Sequence, residues 1–148
     1  LKRAVHTADE ILKFHSSAKK IIAPELRERN LGIYEGKPNH EWKKVMENSS
    51  LSFNNFKPEN GESYNELNNR VKKFIDSLIG KHINDNVLIV SHAGTMTVLT
   101  LNILKKTITK DTYDSHKPDN TALTIFEISQ DKSVSVSFIN SVEYLKII

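Results

Sequence analysis

Apolar residues recur along the chain with two different spacings, and the changes between them outline its elements. Ala4, Val5, Ala8, Ile11 and Leu12 share one face of a helix predicted from about Arg3 to Lys20. Ile21-Ile22-Ala23 reads as a short strand stopped by Pro24. Residues 25–39 follow neither period and are punctuated by Gly32 and Gly36. A short helix is predicted over Glu41–Glu47, and the polar stretch Asn48–Gly61, with Phe53, Phe56 and Pro58, reads as a loop or lid. Tyr64, Leu67, Val71, Phe74, Ile75, Leu78 and Ile79 mark the buried face of a second long helix. Asn86–Ser91 is a continuous apolar run, as in the covered middle of a parallel sheet. Gly94-Thr95 opens a third helix that reaches about Lys106. Two further strands are predicted at Thr121–Ile128 and Val134–Ile139, and in the latter Val134, Val136 and Phe138 alternate with serines, the pattern of an edge with one wet face. Helices alternating with strands argue for a layered α/β sheet.

The length of 148 residues suits a single domain, 1–148, with enough chain to bury a core without staples. There are no cysteines, which excludes disulfides, thiolate chemistry and cysteine-ligated metal centres. Lys and Arg total 21 against 18 Asp and Glu, so the net charge of +3 gives no argument for nucleic acid. No apolar run is long enough for a membrane span. The opening Leu1-Lys2-Arg3-Ala4-Val5-His6 has neither the apolar core nor the cleavage site of a secretory signal, and the expected location is cytoplasmic. The chain begins in mid-helix without a cap and without Met, so a further front segment is expected.

The sharpest local feature is Val87-Leu88-Ile89-Val90-Ser91-His92-Ala93-Gly94-Thr95, where a buried strand gives way to a histidine, two small residues and a helix. Ligands in α/β sheets bind beyond the carboxyl ends of strands, and a helix N-terminus offers N–H groups to an anion. His92 is therefore either a phosphoryl-oxygen ligand or a satisfied histidine at a strand end. Glu28, in Leu26-Arg27-Glu28-Arg29-Asn30-Leu31-Gly32, is either a general acid or a solvated carboxylate between two arginines, with Glu25 and Glu35 as competitors. Arg3, on the first turn of a helix, has the planar fork that chelates phosphate or is an exposed surface residue. Arg70 lies inside the second long helix, where Glu66 is its expected partner or packing its role. His6, His15, His40, His82 and His116 show no HxxxH or HxH spacing, so no metal site is expected. No GxxxxGK[ST] or GxGxxG loop is present, and Ser91 lacks the GxSxG elbow of serine hydrolases.

Five ordered segments together resemble the histidine phosphatase superfamily, the phosphoglycerate mutase-like family. Leu1-Lys2-Arg3-Ala4-Val5-His6-Thr7-Ala8 resembles its L-x-R-A-x-Q-T-A helix start, and Leu26 to Gly36 its L-x-E-x-x-x-G-x-x-E-G stretch. Gly61-Glu62-Ser63 followed by Arg70-Val71 resembles its G-E-S and R-V pair. Ser91-His92-Ala93-Gly94 resembles its second histidine motif, and Asp119-Asn120-Thr121 its late N-x-S/T segment.

The resemblance implies a three-layer α/β/α sandwich with a mostly parallel central sheet, its first strand and helix missing from this chain. It makes Arg3, His92 and the Ala93 N–H the phosphate-binding groups, Glu28 and His92 the catalytic ones, and 37–61 the lid. The family's first histidine, in an Arg-His-Gly motif, takes the phosphoryl group; no Arg-His-Gly occurs here, and the family places it several dozen residues before the point where this chain starts. The implied activity is hydrolysis of a small phosphate monoester through a phosphohistidine, with the nucleophile upstream of residue 1 and no cofactor or metal. A non-catalytic phospho-ligand module and a phosphoglycerate mutase are the alternatives, and a homodimer is left open. Against the mutase stand Leu31 where mutases carry an aromatic, Asn39 where they carry a lysine, and a stretch from Lys37 to Gly61 without arginine. Trp42, Phe53 and Phe56 would form either an apolar wall for the leaving group or packing for the lid.

Overall fold

The computed structural model describes residues 1–147. Five helices follow one another: α1 (Lys2–Leu12), α2 (Asn39–Glu47), α3 (Tyr64–Lys81), α4 (Ala93–Ile103) and α5 (Lys110–Ser115). Two strands, β1 (Leu123–Ile128) and β2 (Val134–Ser141), pair antiparallel with Ile125 opposite Phe138 and Ile128 opposite Val134. Short 3₁₀ turns stand at Pro24–Leu26, Gly32–Tyr34 and Glu143–Ile147.

Helix α3 has the strongest local start. The Ser63 hydroxyl accepts from the Glu66 N–H at 3.1 Å and the Glu66 carboxylate accepts from the Ser63 N–H at 2.8 Å, so two orphan donors are satisfied reciprocally. Its buried stripe Tyr64, Leu67, Val71 and Ile75 packs on Val98, Leu99 and Leu101 of α4, with Ile108 closing the core. Helix α4 is apolar around most of its circumference, and its buried Thr97 donates back to the Ala93 carbonyl at 2.8 Å. Asn102 donates to Asn68 at 2.7 Å and ties the two helices polar to polar. A second, smaller cluster of Trp42, Met46 and Phe56 seats α2, with Leu31, Tyr34 and Phe53 against it.

The structure departs from the sequence expectations in several places. Helix α1 ends at Leu12 and not near Lys20, because beyond it Lys13, Phe14, His15, Ser16 and Ser17 offer no apolar stripe to bury and a helix of this length depends on one. Lys20 instead folds back to pair with Asp9. Helix α4 begins at Ala93, with His92 extended before it, and α5 had no apolar period to announce it. Residues 21–23 and 86–91 join no ladder, since a strand exists only with a neighbour to pair with. Ile21, Ile22, Val87 and Leu88 are open, Ile21 at 67 % and Leu88 at 62 % exposure, while Ile89 packs against the core. The only sheet among the described residues is therefore the β1–β2 pair, and the expected parallel sheet is not formed there. In β2 the apolar alternates Val136 and Phe138 are exposed too, so the expected division into a dry and a wet face does not hold. Among the described residues no helix is long and apolar enough to cross a membrane.

Leu67 lies wholly buried between α3 and α4. Leu67→Ala is expected to lower unfolding free energy by about 2–5 kcal/mol in a denaturant titration, the range for a leucine cavity in a core that cannot collapse. Leu88→Ala, at an open position, should change it by less than about 0.5 kcal/mol.

Candidate active site

The site is built where two irregular segments meet the N-terminus of α4. Residues 25–28 have four successive carbonyls outside any helix ladder beyond one turn, and side chains satisfy each of them. Arg70 donates to the carbonyls of Glu25 and Glu28, Ser91 to that of Leu26 at 2.6 Å, and Thr95 to that of Arg27 at 2.8 Å. Arg70 is itself fixed by a bidentate pair with Glu62, Nε to Oε1 at 2.7 Å and Nη2 to Oε2 at 2.8 Å. Its partner is thus Glu62 and not the expected Glu66, whose carboxylate is taken by Lys57 and the Ser63 cap.

Glu62 is placed by the backbone. Its N–H donates to the Asn30 carbonyl at 2.8 Å, and Ile33 donates to the Glu59 carbonyl at 3.1 Å. Gly32, at φ +57°, lies so close to the Glu59 carbonyl that no Cβ fits, and a methyl on Gly61 would sit 2.8 Å from the Asn30 carbonyl. The two glycines are what allow 30–33 and 59–62 to lie side by side.

Held this way, Glu28 serves as a remote cap for α4. Its Oε2 accepts from the Gly94 N–H and its Oε1 from the Thr95 N–H, both at 3.0 Å, while Oε1 also takes the Arg29 N–H at 2.9 Å. An anion at a helix N-terminus meets unpaired donors and the positive end of the macrodipole. Gly94 is needed for the approach: a methyl there would lie 2.6 Å from Glu28 Oε1. Met96 N–H is bound by the His92 carbonyl at 2.8 Å, which leaves the Ala93 N–H without a partner among the described residues.

His92 is 6 % exposed and immediately precedes that free N–H. Its imidazole holds a proton less readily than usual: burial is the main cause, the Arg3 guanidinium adds to it, and the Glu28 carboxylate opposes it. Arg3 is exposed on the first turn of α1, yet close enough for its charge to act on His92. Nearby, burial and Tyr64 push the Tyr113 hydroxyl far above its ordinary range.

Matching the sequence to family models gives the histidine phosphatase superfamily (branch 1) over residues 1–141. The chain belongs to the histidine phosphatase superfamily. It is 34% identical over 96 residues to the fructose-2,6-bisphosphatase TIGAR B of Danio rerio, covering 63% of this chain and 37% of that protein. It is 32% identical over 108 residues to the adenosylcobalamin/alpha-ribazole phosphatase of Escherichia coli K12, covering 70% of this chain and 53% of that enzyme. The alpha-ribazole phosphatase of Shigella flexneri superposes with a TM-score of 0.77 at 26% identity, over 95% of this chain and 70% of that one. The chain spans about half or less of the length of these two curated relatives.

In this member of the histidine phosphatase superfamily, the structure brings Glu28, His92 and Ala93 to one helix end, with Arg3 within Coulombic reach. The competing carboxylates lie elsewhere: Glu25 is exposed and contributes only its carbonyl, and exposed Glu35 accepts from the Leu31 N–H at 2.8 Å. Trp42 and Phe56 are buried in the second cluster and Phe53 stacks on Tyr64 at 4.4 Å, so the three pack and do not line an open wall. Sequence reasoning missed the roles of Glu62, Thr95 and Gly94; the spacing of Glu62 to Arg70, two turns apart across a helix start, was the available signal for the first. Among the described residues no group of three or more His, Asp or Glu is arranged to hold a metal ion.

The lowered proton affinity of His92 has a pH consequence. The unfolded chain takes up this proton near the ordinary histidine value of 6.5, while the folded chain resists it until lower pH. Stability is therefore complete above that value and declines as pH falls below it. His92→Gln should remove this component, so the wild type should lose stability relative to the variant between about pH 7 and pH 5 in denaturant midpoints.

Proposed function

We propose that this chain is part of a phosphate monoesterase that works through a phosphohistidine, with the nucleophilic histidine supplied from outside residues 1–148. The reading rests on one observation: Glu28 and His92 meet at the N-terminus of α4, beside the unpartnered Ala93 N–H and the charge of Arg3. The phosphatase names of the relatives support it. In the same reading the open segments 21–23 and 86–91 belong to a mostly parallel central sheet in a three-layer α/β/α sandwich, and 37–61 is the lid. The exposure of Ile21, Ile22, Val87 and Leu88 supports that arrangement. The cytoplasmic location expected from the sequence is part of the proposal.

The chemistry follows from the donors. The incoming histidine nitrogen forms a bond to phosphorus as the ester P–O bond breaks, and charge collects on the three equatorial oxygens. Arg3, His92 and the Ala93 N–H would face those oxygens. Glu28 gives its proton to the departing alkoxide; water then attacks the phosphohistidine and returns a proton to Glu28, leaving inorganic phosphate. With both Glu28 oxygens engaged by α4 amides, donation requires one oxygen to leave its N–H, and small Gly94 permits that swing.

A second reading is a phospho-ligand module without catalysis, in which Glu28 serves only as the cap of α4 through the N–H groups it accepts. Para-nitrophenyl phosphate hydrolysis separates the two. Residues 1–148 alone should show no turnover, and a chain extended by the residues encoded upstream should turn over. Glu28→Gln in that chain should lower kcat by about 10²–10⁴ while phosphate affinity stays nearly intact. An extended chain that binds phosphate without turnover establishes the module instead. Equal rates with and without the extension, both lost in His92→Ala, would place the nucleophile inside these residues.

Substrate selectivity is the other expectation. Leu31 packs against the second core cluster and Asn39 accepts from the Trp42 indole at 3.4 Å, so neither offers a cation to a second acidic group. Phosphoglycerate mutase turnover by the extended chain should be negligible beside its phosphatase rate, measured in a coupled assay; comparable rates would refute the selectivity argument.

A further inference from the structure

We infer that Arg29 is a positioning residue that couples helix α2 to the Glu28 carboxylate. The inference rests on the reading of Glu28 as the proton donor, and is tested without measuring turnover.

Arg29 is 4 % exposed and is the one buried arginine of the four in the sequence. A buried guanidinium is ordinarily held by a carboxylate. Here Nη1 and Nη2 have no hydrogen-bond partner among the described residues. The charge rests on aromatic faces instead: the guanidinium carbon lies 4.0 Å from the ring centre of Tyr64 and 5.1 Å from that of Trp42. Phe53 stacks on Tyr64 at 4.4 Å and Tyr113 meets Tyr64 edge-on at 4.8 Å, which fixes the Tyr64 plate. The Trp42 plate belongs to α2 and moves with it.

The other end of the same residue touches the acid. The Arg29 N–H donates to Glu28 Oε1 at 2.9 Å, and Arg29 Nε donates to the Glu62 carbonyl at 2.9 Å. The connection therefore runs from Trp42 through the guanidinium to the Arg29 backbone, then to Glu28 and the Gly94 and Thr95 amides. Displacing α2 withdraws aromatic cover from a desolvated cation, and the guanidinium can recover it only by shifting the residue whose N–H fixes Glu28. A purely apolar side chain would pack in the same volume but would carry no such dependence on Trp42.

Trp42 is the sole tryptophan of the 148 residues, and its emission reports the stack directly. The experiment compares amide hydrogen exchange of the chain extended by the residues encoded upstream in the wild type, Arg29→Met, Arg29→Lys, Trp42→Leu and Met46→Leu. Arg29→Met and Trp42→Leu should each speed exchange at Gly94 and Thr95 by about tenfold, the scale of a desolvated cation–π contact, with Leu99 and Leu101 in the body of α4 unchanged. Arg29→Lys keeps a cation over the rings and should retain wild-type Trp42 emission and most of the protection. Met46→Leu repacks the same cluster and should alter neither amide. Unchanged Gly94 and Thr95 exchange in Trp42→Leu overturns the inference, as does an equal rise along all of α4. If Arg29→Met does not fold, Trp42→Leu decides by the same two criteria. Because no substrate is used, failure here is distinct from failure of the proton-donor reading, which Glu28→Gln kinetics decides.

Discussion

The arrangement depends on the satisfaction of polar backbone that no regular element satisfies. Four carbonyls from Glu25 to Glu28 and two amides at the start of α4 face one another across a gap neither segment could bury alone. Arg70, Ser91 and Thr95 answer the carbonyls, and the Glu28 carboxylate answers the amides. Each donor is tied down by something larger: Arg70 and Thr95 by the α3–α4 core, Ser91 by the segment leading into α4. The core thus sets the place of the carboxylate through hydrogen bonds, and its apolar packing on Leu67, Val71, Val98 and Leu101 gives those bonds a rigid base.

Where the sequence was legible, a local rule decided. Helix α3 was readable because its apolar stripe is long and its Ser63–Glu66 cap is encoded within four residues. Helix α2 was readable from a shorter apolar stripe, Trp42 and Met46, with no side-chain cap. The extent of α1 was not, because the end of a helix is set by what its last turn packs against and Phe14 packs against nothing. The apolar runs 21–23 and 87–90 have strand character in themselves, but pairing is a property of two segments and cannot be inferred from one.

The site divides along the same line. His92 and Glu28 stand out because a histidine at a helix start and a carboxylate in an irregular, glycine-bounded stretch are unusual in one short chain. Arg70 was misassigned to Glu66 because helical spacing favours the intrahelical partner, whereas the G-E-S turn brings Glu62 back onto the same face with both oxygens presented. The burial of Arg29 had no sequence signature at all: a lone arginine between a glutamate and an asparagine reads as surface, and only the convergence of Trp42 and Tyr64 from separate elements makes an interior place for it.

The carbonyl row also separates two kinds of information within residues 25–28. Glu25 and Arg27 turn their side chains to solvent while their carbonyls are clamped from outside. Their identities are free to drift, because any residue except one that cannot adopt the same backbone presents the same oxygen. The donors enjoy no such freedom, since Arg70, Ser91 and Thr95 act through atoms that few other side chains possess. The exposed positions Glu25 and Arg27 thus lie within three residues of the carboxylate, while the side chains that clamp this carbonyl row, Arg70, Ser91 and Thr95, are more than forty residues away along the chain. Neutral variation can accumulate beside the acid without moving it, and surface charge at Glu25 and Arg27 can be retuned without touching the clamped carbonyls.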